Sequence, residues 1–99
     1  MELMTKELSD SFPPLYSQDG CGDATVLFAK YFTTDSKCTW FVAEYDPEQR
    51  LFFGLVIGHD VELGYFSLDD LETVRGGLGL PVERDLYFVP TTVGKVRNR

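Results

Sequence analysis

Three runs dominated by Val, Phe, Tyr, Trp and Leu, at residues 25–32, 39–45 and 50–57, follow one another with only short polar connections. That spacing constrains the chain more than any other feature, because strands joined by a few turn-forming residues must pair as antiparallel hairpins. Residues 33–37 are turn formers. Asp46 and Pro47 occupy the first and second positions of a type I turn, ahead of Glu48 and Gln49. In the second and third runs apolar side chains stand on both alternating faces: Trp40 and Val42 against Phe41, Ala43 and Tyr45, then Leu51, Phe53, Leu55 and Ile57 against Phe52 and Val56. A sheet that is apolar on both sides needs cover on both, from helices or from a second copy of the chain.

The flanking segments supply candidates for that cover. Met4 and Leu8 pair at i, i+4 within residues 2–10, which predicts a short helix closed by Phe12, Pro13 and Pro14. Residues 18–23, with Gly20 and Gly22, read as a loop. A fourth strand is expected over 61–66. Ser67 with Asp70 then forms a capping pattern for a helix at about 67–75, whose stripe is Leu68, Leu71 and Val74 and whose stop is Gly76 and Gly77. A bend at Gly79, Leu80 and Pro81 leads to a last short strand over 85–89. The chain from residue 91 to 99 carries Lys95, Arg97 and Arg99 and no acid, and reads as a flexible basic tail. The expected fold is α+β: one domain over 1–99, with an antiparallel sheet of four to five strands packed by an N-terminal and a central helix.

A chain of 99 residues can bury roughly two-thirds of its unfolded surface, enough for a core without staples. Cys21 and Cys38 are too few for a disulfide scaffold, and no apolar leader follows Met1, so the cytoplasm of a bacterial cell is the expected compartment. The apolar run at 51–57 is far short of the ~20 residues of a membrane span, and no membrane association is expected. Charge is the most informative bulk property. The formal net charge is −7, and residues 33–72 hold nine carboxylates against only Lys37 and Arg50. Direct, specific DNA binding is therefore not expected, because phosphate contact requires Lys and Arg in excess. The excess of acid has two readings: solvation of an ordinary surface, or a face that attracts a basic protein.

Signals for chemistry are sparse. The only histidine, His59, stands between Gly58 and Asp60, and no Ser sits in a Gly-x-Ser-x-Gly setting. Cys21, Cys38 and His59 lack zinc-site spacing, and His59, Asp60 and Glu62 read as a solvated turn. Gly76-Gly77-Leu78-Gly79 follows a helix, whereas a dinucleotide loop must follow a strand. Lys30-Tyr31-Phe32 and Arg50-Leu51-Phe52-Phe53 are candidates for stacking on bases, and equally for ordinary strand core. No catalytic residue, metal or cofactor is expected.

Several segments together carry a resemblance: Pro13-Pro14-Leu15-Tyr16, Thr39-Trp40-Phe41-Val42-Ala43-Glu44-Tyr45-Asp46, Leu51-Phe52-Phe53-Gly54-Leu55-Val56, Glu62-Leu63-Gly64-Tyr65-Phe66-Ser67-Leu68, and Gly79-Leu80-Pro81-Val82-Glu83-Arg84-Asp85-Leu86-Tyr87-Phe88. They resemble the domain-of-unknown-function 2958 family, small proteins carried on plasmids, phages and integrative elements. A member or close relative of that family is a type II-A anti-CRISPR protein. The resemblance thus implies a non-catalytic inhibitor that binds a CRISPR effector nuclease or its ribonucleoprotein. It brings no functional residues with it.

Charge and resemblance converge on one expectation, because such nucleases hold guide and target in positive channels. The candidate partner-binding face is Glu44, Asp46, Glu48, Asp60 and Glu62. The alternative is an accessory or adaptor protein of a mobile element that acts through its apolar sheet, as a homodimer or in a larger complex.

Overall fold

The apolar runs become the centre of the sheet. In the computed structural model, which describes residues 2–98, they form β2 (Ala29–Thr33), β3 (Thr39–Asp46) and β4 (Leu51–Ile57), followed by β5 (Val61–Ser67). The order is β5-β4-β3-β2-β6, with β6 at Val82–Arg84, and every neighbouring pair is antiparallel. Short polar turns leave no alternative to hairpins here. The first run divides in two: Val26–Leu27 forms β1, which leaves the main sheet and pairs with β7 (Thr91–Thr92).

Helices cover both faces, as the doubly apolar strands require. On one face α1 (Lys6–Ser11) and α2 (Leu68–Thr73) pack over Tyr31, Val42, Tyr45, Phe52 and Val82, with Leu3, Phe12, Leu68 and Leu71 completing the cluster. On the other, α3 (Val93–Arg97) places Val93 and Val96 on Leu27, Phe41, Ala43 and Leu55. The helices are shorter than the sequence predicts: the Thr5 cap starts α1 only at Lys6, and α2 begins at its expected cap but ends early. Thr5 accepts the amide of Leu8 at 3.1 Å and Ser67 that of Asp70 at 2.9 Å. α2 ends where Val74 turns extended, two residues before the glycine pair expected to stop it.

Two expectations about the C-terminal third are corrected. The last strand of the main sheet is Val82–Arg84, not residues 85–89. The Asp85 carboxylate accepts the Tyr87 amide at 2.9 Å, and such Asx turns draw the backbone out of a ladder. Residues 91–98, expected as a basic tail, are built into the fold: Thr92 caps α3 by accepting the Lys95 amide at 3.3 Å, and Val93 and Val96 are buried. Met1 and Arg99 lie outside the described residues.

One irregularity decides which way the middle of β3 faces. Strand alternation holds up to Val42, opposite Gly54, but Glu44 then stands opposite Phe53, so that Ala43 is an extra residue in the ladder. The bulge turns Glu44 onto the α3 face and Tyr45 onto the α1/α2 face. Gly54 permits the close approach: a Cβ there would fall on the Phe41 carbonyl oxygen.

Candidate functional site

Because of the bulge, Glu44 points at the loop between α1 and β1 rather than at solvent. It is only 2 % exposed. Its carboxylate accepts the amides of Tyr16 at 2.8 Å and Gln18 at 2.7 Å, charge-assisted bonds stronger than ordinary amide pairs. The Gln18 side chain then behaves like a length of backbone. Its carbonyl accepts the Val26 amide at 2.7 Å, and its NH2 donates to Val26 O at 3.0 Å and Ala43 O at 3.1 Å. Pro13 O accepts the Tyr45 amide at 3.0 Å. Residues 13–18 are thereby stitched to β1 and β3 at both ends.

This stitching holds Tyr16 in a conformation it would not choose. Its φ is +71°, the left-handed region that bulky residues avoid, at a cost on the order of 1–3 kcal/mol. The ring is nevertheless largely exposed, at 65 %, and lies 6.5 Å from that of Tyr65, which in turn lies 5.0 Å from Phe53. Tyr65 and Leu63 belong to β5, a strand at the sheet edge, and stand exposed on its α3 face together with Val61. Between these rings is a concavity of about 110 Å3, with Glu44 in its floor and Asp19 in its wall. The Tyr65 phenol is held above its ordinary value, first by burial, then by its hydrogen bond with Tyr16, and further by the negative charges of Glu44 and Asp19. A shallow groove along Pro14, Tyr16, Asp46 and Pro47 continues the concavity toward the β3–β4 turn.

The five residues expected to form one acidic face do not do so. Glu44 is buried, with its charge directed at backbone amides. Asp46 and Glu48 lie at the β3–β4 turn and Asp60 at the β4–β5 turn, with Glu62 opposite Val56, so the two pairs sit at opposite ends of β4, roughly 20 Å apart for a strand of that length. What joins Asp46 and Glu48 instead is the start of α2. The register brings Ser67 beside Leu51, and Arg50 bonds Asp69 at 2.8 Å and Glu72 at 2.5 Å. Asp46, Glu48, Asp69, Asp70 and Glu72 thus share one end of the sheet, where Arg50 bridges two of them and Arg75 donates to the Glu72 carbonyl at 3.1 Å. Counting residues through the β4–β5 hairpin would have located this group. The aromatic concavity had a fainter signal, the alternating Val61, Leu63 and Tyr65 of an edge strand.

His59 is exposed in the β4–β5 turn, and Cys21 and Cys38 are exposed and free. Among the described residues no group of three or more His, Cys, Asp or Glu side chains is placed to hold a metal ion. Nor is any described helix long and apolar enough to cross a membrane.

Fold and site together define a small α+β protein with a helix-covered antiparallel sheet, an acidic end and an aromatic concavity beside a free strand edge. The chain belongs to the family described as Protein of unknown function (DUF2958), whose profile matches residues 14–94. No curated protein and no solved structure matches it.

Proposed function

We propose that this chain is a non-catalytic inhibitor that binds a type II-A CRISPR effector nuclease or its ribonucleoprotein inside a bacterial cell, on behalf of a phage or plasmid. The observation that carries the reading is the acidic end at the β3–β4 turn, joined through Asp46 and Pro47 to the exposed aromatic side chain of Tyr16, whose backbone Glu44 holds. Acidic groups around an aromatic anchor suit capture of a basic protein surface: the charges accelerate encounter and the rings supply contact area. The family resemblance supplies the nature of that partner.

The test is capture of a purified type II-A nuclease, with and without guide RNA, together with its DNA cleavage. Salt is raised from roughly 0.1 to 1 M, over which the screening length falls from about 10 to 3 Å. Capture that weakens with salt, and that is lost on reversing Asp46, Glu48 and Asp70 to Lys but kept on reversing Asp60 and Glu62, is the expected result. No capture and no effect on cleavage at any salt would sink the proposal.

A second reading, an accessory protein of a mobile element that pairs with itself, is favoured by one observation: Val61, Leu63 and Tyr65 stand exposed on β5, which pairs with β4 on one side and is the outermost strand of the sheet. Such edges recruit further strands. Light scattering that gives a dimer, together with failure to capture nuclease, would favour it.

A further inference from the structure

We propose that the concavity between Tyr16 and Tyr65 receives the guanidinium of an arginine side chain presented by a protein partner. The inference rests on the function proposed above for the partner's identity, but the chemistry of the pocket stands on its own geometry.

Size excludes larger ligands. About 110 Å3 is well below the roughly 300–1,000 Å3 of sites that take small molecules or cofactors, and is on the scale of one side chain. The walls are the rings of Tyr16, Tyr65 and Phe53, whose faces carry the negative part of the aromatic quadrupole and attract cations. In the floor the Glu44 carboxylate is 2 % exposed and takes one backbone amide on each oxygen. An ionised carboxylate has about four acceptor sites, so each oxygen retains capacity for a further donor. Asp19 adds a second negative group, and none of the lining residues is Lys, Arg or His. An arriving cation therefore meets attraction from floor, walls and rim. The Tyr65 phenol is raised chiefly by desolvation and by its hydrogen bond with Tyr16, with the charges of Glu44 and Asp19 adding in the same direction.

Arginine fits this description better than lysine. A planar guanidinium can lie against an aromatic ring while its N–H fork reaches a carboxylate, and it gives up water more readily than an ammonium. The backbone that carries Tyr16 is also held in place without any ligand, because the Glu44 carboxylate accepts the Tyr16 and Gln18 amides and the Gln18 side chain accepts that of Val26, which removes part of the ordering cost of binding.

The experiment is a two-dimensional amide NMR titration of the whole 15N-labelled chain with N-acetyl-arginine methylamide. The lysine compound and the neutral isostere N-acetyl-citrulline methylamide serve as comparators. Saturable shifts centred on Tyr16, Gln18, Asp19 and Tyr65 are expected with arginine in the millimolar range, weaker with lysine and absent with citrulline. Equal response to citrulline, or shifts spread evenly over Asp60, Glu62 and Asp69, would overturn the proposal. Tyr65→Ala changes an exposed side chain, and its amide spectrum reports whether the fold is kept; saturation should disappear in it, and binding that survives also overturns the proposal. Nuclease capture is read separately. A pocket that saturates in a protein capturing no nuclease keeps this inference and removes the function proposed above. Capture that Tyr65→Ala leaves unchanged keeps the function and overturns the pocket as its anchor, since loss of such a contact should weaken binding about tenfold.

Discussion

Glu44 and Tyr16, separated by 28 positions in the chain, are joined by a 2.8 Å hydrogen bond from the Tyr16 amide to a carboxylate that solvent barely reaches. This bond and its neighbour from Gln18 hold an otherwise irregular loop against β3. Glu44→Ala leaves two amides facing a small cavity and should cost about 3 kcal/mol in urea unfolding, given 1.5–3 kcal/mol for a hydrogen bond to a charged group. Glu44→Gln, which keeps one acceptor but turns an NH2 toward a donor, should fall between that variant and the wild type. Hydrogen exchange at Tyr16 and Gln18 should accelerate in both variants while the β4 amides stay protected. Unchanged exchange at those two amides would show that the carboxylate does not hold the loop.

Gly54 and Gly64 stand opposite each other in the β4–β5 ladder, yet they face different surroundings. A Cβ on Gly54 would meet the backbone of Phe41 and Val42, whereas one on Gly64 meets nothing within 4 Å. Gly54→Ala should therefore lose more than about 3 kcal/mol or fail to fold, and Gly64→Ala should stay within about 1 kcal/mol of wild type. Thermal unfolding of the pair checks both. Similar melting of the two variants would contradict the bulge geometry.

Tyr31 is fully buried and donates its hydroxyl to Leu3 O at 2.6 Å. Burial is the largest cause of the rise in its phenol pKa, with Arg84 opposing it. The folded state thus keeps this proton when the unfolded chain, with an ordinary value near 10, has released it. The associated stability is present below about pH 10 and is lost as pH rises through the folded value. Tyr31→Phe should cost about 1 kcal/mol at neutral pH through the orphaned Leu3 carbonyl, and should flatten the fall in stability above about pH 10. An unchanged alkaline slope in urea titrations would contradict this account.

Val93 and Val96 anchor α3 on the second face of the sheet. Val93→Ala should destabilise by about 1.5 kcal/mol, the scale of two buried methyl groups, and removal of the chain from Thr91 onward should cost more, because it uncovers Leu27, Phe41 and Leu55 as well. Binding of a hydrophobic dye to the truncated protein should increase. A shortened chain with wild-type melting would mean that α3 contributes nothing.

Those predictions also mark what could be read from the chain alone. The three central strands announced themselves through Trp40, Phe41, Phe52 and Phe53 between polar turns, and the α2 cap through Ser67 and Asp70. The last strand was misplaced because Leu86, Tyr87 and Val89 look like strand residues, while the decisive feature is Asp85, whose side chain closes a turn on Tyr87. Lys95 and Arg97 hid the Val93 and Val96 pair, although Thr92 ahead of them is a capping residue. Charge alone places Glu44 on an acidic surface face, whereas the structure buries it against the amides of Tyr16 and Gln18. Nothing in the composition around Ala43 reveals an added residue in the ladder, because the bulge is a property of how β3 aligns with β4.

That one-residue offset gives Ala43 an importance out of proportion to its size. Were the ladder to run on without the bulge, Ala43 would take the place opposite Phe53, Glu44 would turn into the layer of Phe52 and Phe66, and Tyr45 would swing away from Phe12. A relative whose β3 paired with β4 without that offset would keep the outline of the domain while losing the hook for the Tyr16 segment, so the stretch between Val42 and Tyr45 is the place to look for divergence of this site within the family.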